Sequence, residues 1–376
     1  MESHNNNRIS LYLKNAVDSP SAYYSIMQYI ERMPEFHGHI NGLWPNKLFR
    51  FFMKPVFRHG LGSIFRKAIL LVVQVFNILK FMLRDIHSYK PEVVVICREL
   101  FPTYMPGIFT GLYKKLLTGR KLIWTFDDNI KLGEISKREW DILCAHADEI
   151  MVTHDYLKNT LPIEIQDKVD YIPQADGDIA ELVARGKRKD RRESYKKKVS
   201  LVWVATSGNL PNMDYVLEEL EAAAKKLKLD YNKELVLNVV CNEKYLGQHK
   251  YLKVENIVWT RQGAAKTIEN SHIGIMPLID NEYNRGKGGF KLVQYMTAGL
   301  PVISSDVGWN KVVVGDEAGI LVDDVHDKQM WVKAIVSLST DYEMWKKMSG
   351  GARAQCAKRF SFEKNVTLWK DKLGIQ

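Results

Sequence analysis

A short loop after a predicted buried strand concentrates the residue types that bind phosphate. The strand covers 273–277, and the loop that follows it reads DNEYNRGKGG before a helix that begins at Phe290. Glycine lets backbone N–H groups approach a phosphate closely, and a helix N-terminus adds positive potential. Basic side chains neutralise the anion. The predicted phosphate-binding residues are the backbone groups of Gly288, Gly289 and Phe290 and the cations Arg285, Lys287 and Lys291.

A second glycine-containing loop, Thr206 to Leu210, follows the predicted strand 200–205. Two interpretations stay open for it. Gly208 and Asn209 either face the same anion or form an ordinary capped helix start, in which a polar side chain accepts from free N–H groups. Arg261 is a further candidate for positive charge at the site, since no cation follows the loop directly. A plain strand-to-helix turn with solvated lysines is the corresponding alternative at Gly288.

The string NEYNRGKGGFKLVQYMTAGLPVISSDVGWNKVVV, beginning at Asn281, resembles the donor-binding motif of the family 4 (group 1) retaining glycosyltransferases, which have the two-domain GT-B fold. In that family, the amides of the glycine turn hold the donor diphosphate, and a glutamate in the helix binds the ribose. The resemblance places Gln294 at the glutamate position. Its amide can both donate to and accept from hydroxyl groups, so ribose binding is retained.

The family has another glutamate that faces the transferred sugar, and Gly286 occupies its position in this chain. Asp280 or Glu282 is expected to replace that carboxylate. The resemblance also implies retention of the anomeric configuration, without a protein nucleophile, metal or cofactor, because the departing diphosphate helps to remove the acceptor proton. Electrostatic stabilisation of that leaving group would then be the main task of the site, with Lys287 contributing.

Strands alternate with helices along the whole chain, which favours parallel sheets with right-handed crossovers. A length of 376 residues suits two such domains. The predicted fold is α/β, with two Rossmann-like, doubly wound parallel-sheet domains facing a central cleft (GT-B). The predicted boundaries are 1–184 for an acceptor-binding domain, 185–198 for a basic linker, 199–355 for a nucleotide-sugar-binding domain, and 356–376 for a C-terminal helix packing back on the first domain.

In the first half, Arg98-Glu99 and Asp127-Asp128 both follow predicted strands, 93–97 and 121–126. Asp127 or Asp128 is a candidate for orienting an acceptor hydroxyl or taking its proton. The alternative is an ordinary surface carboxylate after a strand. His154 is read as a loop histidine, and the histidines do not cluster, so no bound metal is predicted.

The net charge of +10 favours anionic partners but does not choose among them. The segment 47–67 mixes aromatic and basic residues and runs into an apolar helix at 68–83, so 47–83 is read either as a surface for anionic lipid or as a core helix with a solvated loop. No nucleic-acid-binding signature is present. Four scattered cysteines and the absence of an export signal favour a cytoplasmic protein, peripheral on the inner face of the membrane if 47–83 binds lipid.

These observations predict a glycosyltransferase that moves a sugar from a nucleotide diphosphate sugar to a glycan or lipid-linked acceptor, in the synthesis of a surface polysaccharide or glycoconjugate. The alternative is a GT-B scaffold that binds the donor without catalysis, since neither family glutamate position holds a glutamate. The donor base, the sugar and the acceptor are left open.

Overall fold

The structure, a computed structural model, describes residues 7–17, 19–52, 54–57, 60–101, 103–185, 191–323 and 326–375. The chain divides into two compact units. The first consists of Met1–Pro173 together with Glu363–Gln376, and the second of Gln174–Phe362. Each unit is built on one parallel sheet of six strands with flanking helices. The predicted class of two doubly wound α/β domains is confirmed.

The sheet of the first unit has the strand order β2-β1-β3-β4-β5-β6, and all its neighbouring strands are parallel. Its strands are β1 Ile9–Leu13, β2 His39–Gly42, β3 Val93–Cys97, β4 Lys121–Phe126, β5 Glu149–Val152 and β6 Val169–Tyr171. Every residue of β1 and β3 is buried, as expected of strands covered on both faces. The edge strand β2 was not predicted.

The helices of the first unit cover both faces of this sheet. Their bounds are Pro20–Ala22, Tyr23–Met27 (π-helical), Gln28–Ile30, Asn46–Phe52, Pro55–Phe57 (3₁₀), Gly60–Arg84, Asp85–Tyr89 (π-helical), Phe109–Leu117, Lys137–His146, Asp155–Lys158, Ile163–Lys168 (3₁₀) and Phe362–Leu373. The last helix belongs to this unit although it ends the chain. Asn365 Nδ2 donates to Tyr29 Oη (3.1 Å), and Trp369 is fully buried.

The sheet of the second unit has the order β12-β11-β10-β7-β8-β9, again all parallel. Its strands are β7 Lys198–Val204, β8 Glu234–Cys241, β9 Lys253–Val258, β10 Ile273–Met276, β11 Val302–Ser305 and β12 Gly319–Val322. The direction in which strands are added reverses between β7 and β10. Ligands of open α/β sheets bind at the carboxyl ends of the strands beside such a reversal.

The helices of the second unit also lie on both faces. Their bounds are Gly177–Ala184, Arg192–Lys197, Ser207–Asn209 (3₁₀), Leu210–Asp214, Leu217–Tyr231, Arg261–Glu269, Glu282–Arg285, Phe290–Thr297, Asn310–Val314, Gln329–Thr340 and Tyr342–Arg359. Successive side chains of a strand point to opposite faces. Accordingly Leu201 and Trp203 of β7 join one buried cluster, and Val202 and Val204 join the other.

The predicted basic linker at 185–198 differs from the structure. The chain divides between Pro173 and Gln174, the second unit ends at Phe362 rather than 355, and residues 186–190 lie outside the described residues. The segment from Arg191 onwards is integrated into the second unit. Arg191 donates to the carbonyl oxygen of Glu269 (2.8 Å), and the Tyr195 hydroxyl donates to that of Leu338 (2.7 Å). Charge density alone therefore misplaced the boundary, because one buried aromatic residue anchors the helix Arg192–Lys197.

Candidate functional site

The two glycine-containing loops singled out in the sequence follow β7 and β10, the strands on either side of the reversal in the second sheet. In a parallel sheet, the carboxyl ends of neighbouring strands lie at the same edge. The loop after β7 forms the turn Ser207–Asn209, and the loop after β10 leads through the short helix Glu282–Arg285 into the helix Phe290–Thr297. The topology thus explains why segments about 80 residues apart share one edge.

The turn before the helix Phe290–Thr297 requires glycine. Gly289 has a φ of +72°, in the left-handed region, and a Cβ at this position would lie 2.9 Å from Val313 Cγ2. A second glycine, Gly308, has a φ of +58°, and its Cβ would lie 2.5 Å from the carbonyl oxygen of Arg285. Both positions combine a backbone conformation that favours glycine with a close approach. The loop is therefore held tightly against the segment 308–313 beneath it.

Lys287 connects the two loops directly. Its Nζ donates to Asn209 Oδ1 at 3.2 Å and lies 4.5 Å from the centre of the Tyr283 ring. Asn209 Nδ2 in turn donates to Thr206 Oγ1 (3.1 Å). The structure therefore brings together Asn209 and Lys287, which the sequence placed in one site. Gly208 lies in the same turn, with open space where a Cβ would be.

The other cation of the helix start, Lys291, is the first member of a polar chain. Its Nζ donates to Gln294 Oε1 (3.1 Å), and Gln294 Nε2 donates to Asp176 Oδ2 (2.6 Å). Burial, reinforced by the nearby Lys287 ammonium, lowers the pKa of Lys291 to about 8, against the opposing attraction of Asp176. Two lysines at one helix N-terminus repel each other, and an arriving anion would relieve that repulsion.

Three other predicted donor-site residues are engaged in ion pairs. Arg285 forms a bidentate salt bridge with Asp280, from Nε to Oδ1 (2.6 Å) and from Nη2 to Oδ2 (2.8 Å). Arg261 Nε lies 3.0 Å from Asp178 Oδ2. Glu282 is exposed at the start of its short helix. Of the two carboxylates expected to replace the sugar-facing glutamate, Asp280 is therefore held by Arg285.

In the first unit, Asp127 and Asp128 belong to an ion cluster around the buried Arg98, at the carboxyl ends of β3 and β4. Arg98 Nη1 donates to Asp127 Oδ1 (2.9 Å) and Asp128 Oδ2 (3.0 Å), and the same guanidinium contacts Glu134 and Glu99. Arg98 has a left-handed φ of +68°. Burial and repulsion from Asp128 raise the pKa of Asp127 to about 6, against the attraction of Arg98. The alternative of ordinary solvated carboxylates does not describe Asp127, which is largely buried.

Two site residues escaped the sequence analysis. Asp176 caps the helix Gly177–Ala184 by accepting from the Ile179 amide (3.0 Å), and it reaches Gln294 from 118 positions away. The capping role could be predicted from the local sequence, because Asp176 is an acidic residue directly before a helix. No local sequence pattern indicates the contact with Gln294. Asn310 is buried beneath the glycine turn, with Oδ1 3.5 Å from the place of a Cβ on Gly289.

Two further features concern the ranges that the structure describes. Within them, no group of three or more His, Cys, Asp or Glu residues is placed to hold a metal ion. In the same ranges, no helix is both long and apolar enough to cross a bilayer.

The sequence that contains this site is similar to a known protein family. Residues 198–341, which contain both loops and both lysines, match the family model described as glycosyl transferases group 1. This stretch is therefore similar to the group 1 glycosyltransferases. The resemblance noted for the motif beginning at Asn281 is therefore confirmed. A comparison with curated protein sequences finds no match.

Solved structures with similar folds extend the likeness to both units. HepE from Anabaena, solved with UDP and glucose, has a TM-score of 0.64 at 10% identity over 98% of this chain and 99% of its own. The α,α-trehalose 6-phosphate synthase from Burkholderia multivorans also has a TM-score of 0.64 at 10% identity, over 98% and 96%. The pneumococcal O-GlcNAc transferase GtfA, solved with UDP and GlcNAc, reaches 0.50 at 14% identity over 75% of this chain, which spans 56% of GtfA. At these identities the likeness establishes the fold, GT-B.

Proposed function

We propose that this glycosyltransferase transfers a sugar, with retention of configuration, from a nucleotide diphosphate sugar to a glycan or lipid-linked acceptor. The observation that carries the donor assignment is the convergence of Lys287 and Lys291 at the N-terminus of the helix Phe290–Thr297, where Lys287 also contacts the loop after β7. Backbone amides of the glycine turn, helix polarity and two ammonium groups together suit a diphosphate.

The chemistry expected of this arrangement is electrostatic. As the bond between sugar and diphosphate breaks, negative charge grows on the leaving phosphate, and Lys287 and Lys291 stabilise it. The leaving phosphate takes the acceptor proton on the same face, so that the reaction needs no protein nucleophile, bound metal or cofactor. We retain Asp127 and Asp128 as candidates for orienting the acceptor hydroxyl. The raised pKa of Asp127 suits a group that exchanges a proton near neutral pH.

Donor binding is tested first with nucleoside diphosphates in isothermal titration and with a panel of nucleotide sugars in thermal shift, beginning with UDP sugars because HepE and GtfA were solved with UDP. Lys287→Ala and Lys291→Ala should each weaken binding at least tenfold, roughly 1.4 kcal/mol. Lys266→Ala, an exposed lysine of the helix Arg261–Glu269, is the matched control and should bind normally. Normal affinity in both site variants would remove the phosphate assignment.

A donor-binding scaffold without activity is the second candidate. It is favoured by the absence of glutamate at 286 and 294 and by the engagement of Asp280 with Arg285. Donor hydrolysis and transfer assays separate the two candidates. Release of free sugar or transfer to an added acceptor supports the enzyme, whereas tight donor binding without turnover under any acceptor supports the scaffold.

We further propose that the protein works in the cytoplasm, peripherally bound to the inner face of the membrane, in the synthesis of a surface polysaccharide or glycoconjugate. The helix Gly60–Arg84 supports this. One face packs inward through Gln74 and Met82, while the opposite face exposes an apolar stripe at regular spacing: Leu61, Phe65, Val72, Phe76, Leu79 and Leu83. Residues 36–84 contain eight Lys and Arg and no Asp or Glu. An apolar stripe in a purely cationic segment suits an anionic lipid surface.

Vesicle co-sedimentation tests this attachment. The chain should bind vesicles of phosphatidylcholine with phosphatidylglycerol more strongly than vesicles of phosphatidylcholine alone. Val72→Glu and Phe76→Glu should abolish binding, whereas Leu246→Glu, at a still more exposed apolar position of the second unit, should not. Equal binding by all variants, or a dimer in size-exclusion chromatography that Phe76→Glu dissociates, would contradict the proposal.

A further inference from the structure

The candidate donor site holds a buried carboxylate that no motif of the sequence announces. Asp176 is 2% exposed, and its two oxygens have separate tasks. Oδ1 accepts from the Ile179 amide and caps the helix Gly177–Ala184, while Oδ2 accepts from Gln294 Nε2 at 2.6 Å. The second contact joins the start of that helix to the helix that carries the two lysines.

The neighbours of Gln294 determine which way its amide points. An amide has one accepting and one donating end. The Lys291 ammonium can only donate, and it faces Oε1, whereas the Asp176 carboxylate accepts and faces Nε2. Turning the amide over would set donor against donor at Lys291 and acceptor against acceptor at Asp176. Asp176 therefore fixes the Gln294 oxygen on the side of the lysines.

Asp176 also contributes to the balance of charge around Lys291. The ionisable groups facing Lys291 are Lys287, which repels it, and Asp176, which attracts it. Those facing Asp176 are Asp178 and Lys291. Burial raises the pKa of Asp176, while its hydrogen bonds from Gln294 and the Ile179 amide act in the opposite direction. The carboxylate thus lies within electrostatic reach of Lys291 while being buried itself.

We propose that Asp176 and Gln294 act as one unit that positions the donor: Gln294 presents its oxygen to Lys291 and the donor ribose, and Asp176 holds that amide and supplies the negative charge. In similar transferases, a single glutamate occupies the position of Gln294. In this chain the carboxylate comes instead from the helix Gly177–Ala184. Asp176 is a positioning residue, and the inference rests on the donor site proposed above.

Variants that exchange carboxylate and amide side chains at positions 176 and 294 distinguish the positioning role of Asp176 from its helix-capping role. Asn caps a helix as well as Asp does, so a purely structural role predicts that Asp176→Asn leaves nucleotide affinity unchanged. The positioning role predicts the opposite. When the introduced asparagine still accepts from the Ile179 amide, it directs its NH₂ group at the Gln294 NH₂ group, and either one amide turns over or the contact is lost. We expect affinity for a nucleoside diphosphate to fall about tenfold, with unchanged thermal stability.

Gln294→Glu should be impaired in a different way, because it places two carboxylates in contact. Such a pair shares one proton at low pH and repels when both groups ionise. Affinity relative to that of the wild type should therefore fall as pH rises from about 5.5 to 7.5. The double variant Asp176→Asn/Gln294→Glu reverses the hydrogen bond and keeps the net charge, since the introduced asparagine now donates to the introduced glutamate. It should regain affinity to within about threefold of the wild type, without the pH dependence.

The experiment is isothermal titration of the full chain and the three variants with UDP, ADP and GDP. Loss in both single variants and recovery in the double variant supports the positioning unit. The positioning unit is overturned if Asp176→Asn binds as tightly as the wild type. It is also overturned if the double variant loses as much binding free energy as the two single variants together. Failure of the proposed function looks different, since the wild type itself would then bind none of the nucleotides.

Discussion

The lowered pKa of Lys291 leads to a prediction about the pH dependence of donor binding. A diphosphate binds the ammonium form of this lysine and stabilises its charge. In the ligand-free protein, Lys291 loses its proton near pH 8 because burial and the Lys287 ammonium disfavour the charged form. Binding above this pH must therefore restore a proton, and affinity should decrease as pH rises through about 8.

The size of the effect follows from the fraction of charged lysine. With a pKa of about 8, roughly nine tenths of Lys291 is charged at pH 7 and about one tenth at pH 9. Affinity for a nucleoside diphosphate should thus fall about tenfold between these pH values, or about 1.4 kcal/mol. A lysine with the ordinary pKa of 10.5 would stay charged throughout and give a flat profile.

The assay is isothermal titration with ADP and UDP at intervals from pH 7 to 9.5. Lys291→Arg is the control, because a guanidinium does not lose its proton in this range. The variant should bind with an affinity nearly independent of pH. A flat wild-type profile between pH 7 and 9, or the same decline in wild type and Lys291→Arg, would refute the assignment of a partly buried, ligand-facing ammonium.

Two further predictions concern stability, measured by urea denaturation of each variant. Gly289→Ala should destabilise the fold by at least about 1 kcal/mol, because an L-residue is strained at a φ of +72° and its Cβ would overlap Val313. The control Gly208→Ala, with open space around the added Cβ, should not lower the stability. Equal stabilities of the two variants would contradict the strained turn. Arg98→Gln should cost about 3 kcal/mol or more, because it removes the buried cation that four carboxylates surround. The control Arg8→Gln, which breaks an exposed pair with Glu92, should cost less than about 1 kcal/mol. A small loss for Arg98→Gln would show that the cluster is solvated.

Much of the fold could be predicted from local patterns. The strands β3 and β4 were predicted with the bounds that the structure shows, and so was the helix start at Phe290. Their apolar runs and caps are self-contained signals. The edge strand His39–Gly42 has only one buried residue, Asn41, and so lacks an apolar pattern. It forms because β1 offers a parallel partner, which depends on contacts outside the segment.

The site shows the same division between local and distant information. Glycines, lysines and a helix start lie within a dozen residues and could be read together, and the structure brings Lys287 into contact with Asn209. The pairing of Arg285 with Asp280 is local but depends on the loop conformation. The contact between Asp176 and Gln294 joins positions 118 apart, and no spacing rule specifies it. The sheet topology, rather than any motif, brings these elements to one edge.

The central claim is that the backbone amides around Gly289 and the two lysines bind the two phosphates of the donor. A crystal structure of the protein with a bound nucleoside diphosphate measures this directly. The account predicts phosphate oxygens within hydrogen-bond distance of the amides at 288–290 and of at least one of Lys287 Nζ and Lys291 Nζ. A nucleotide bound with its phosphates away from this turn would contradict the account.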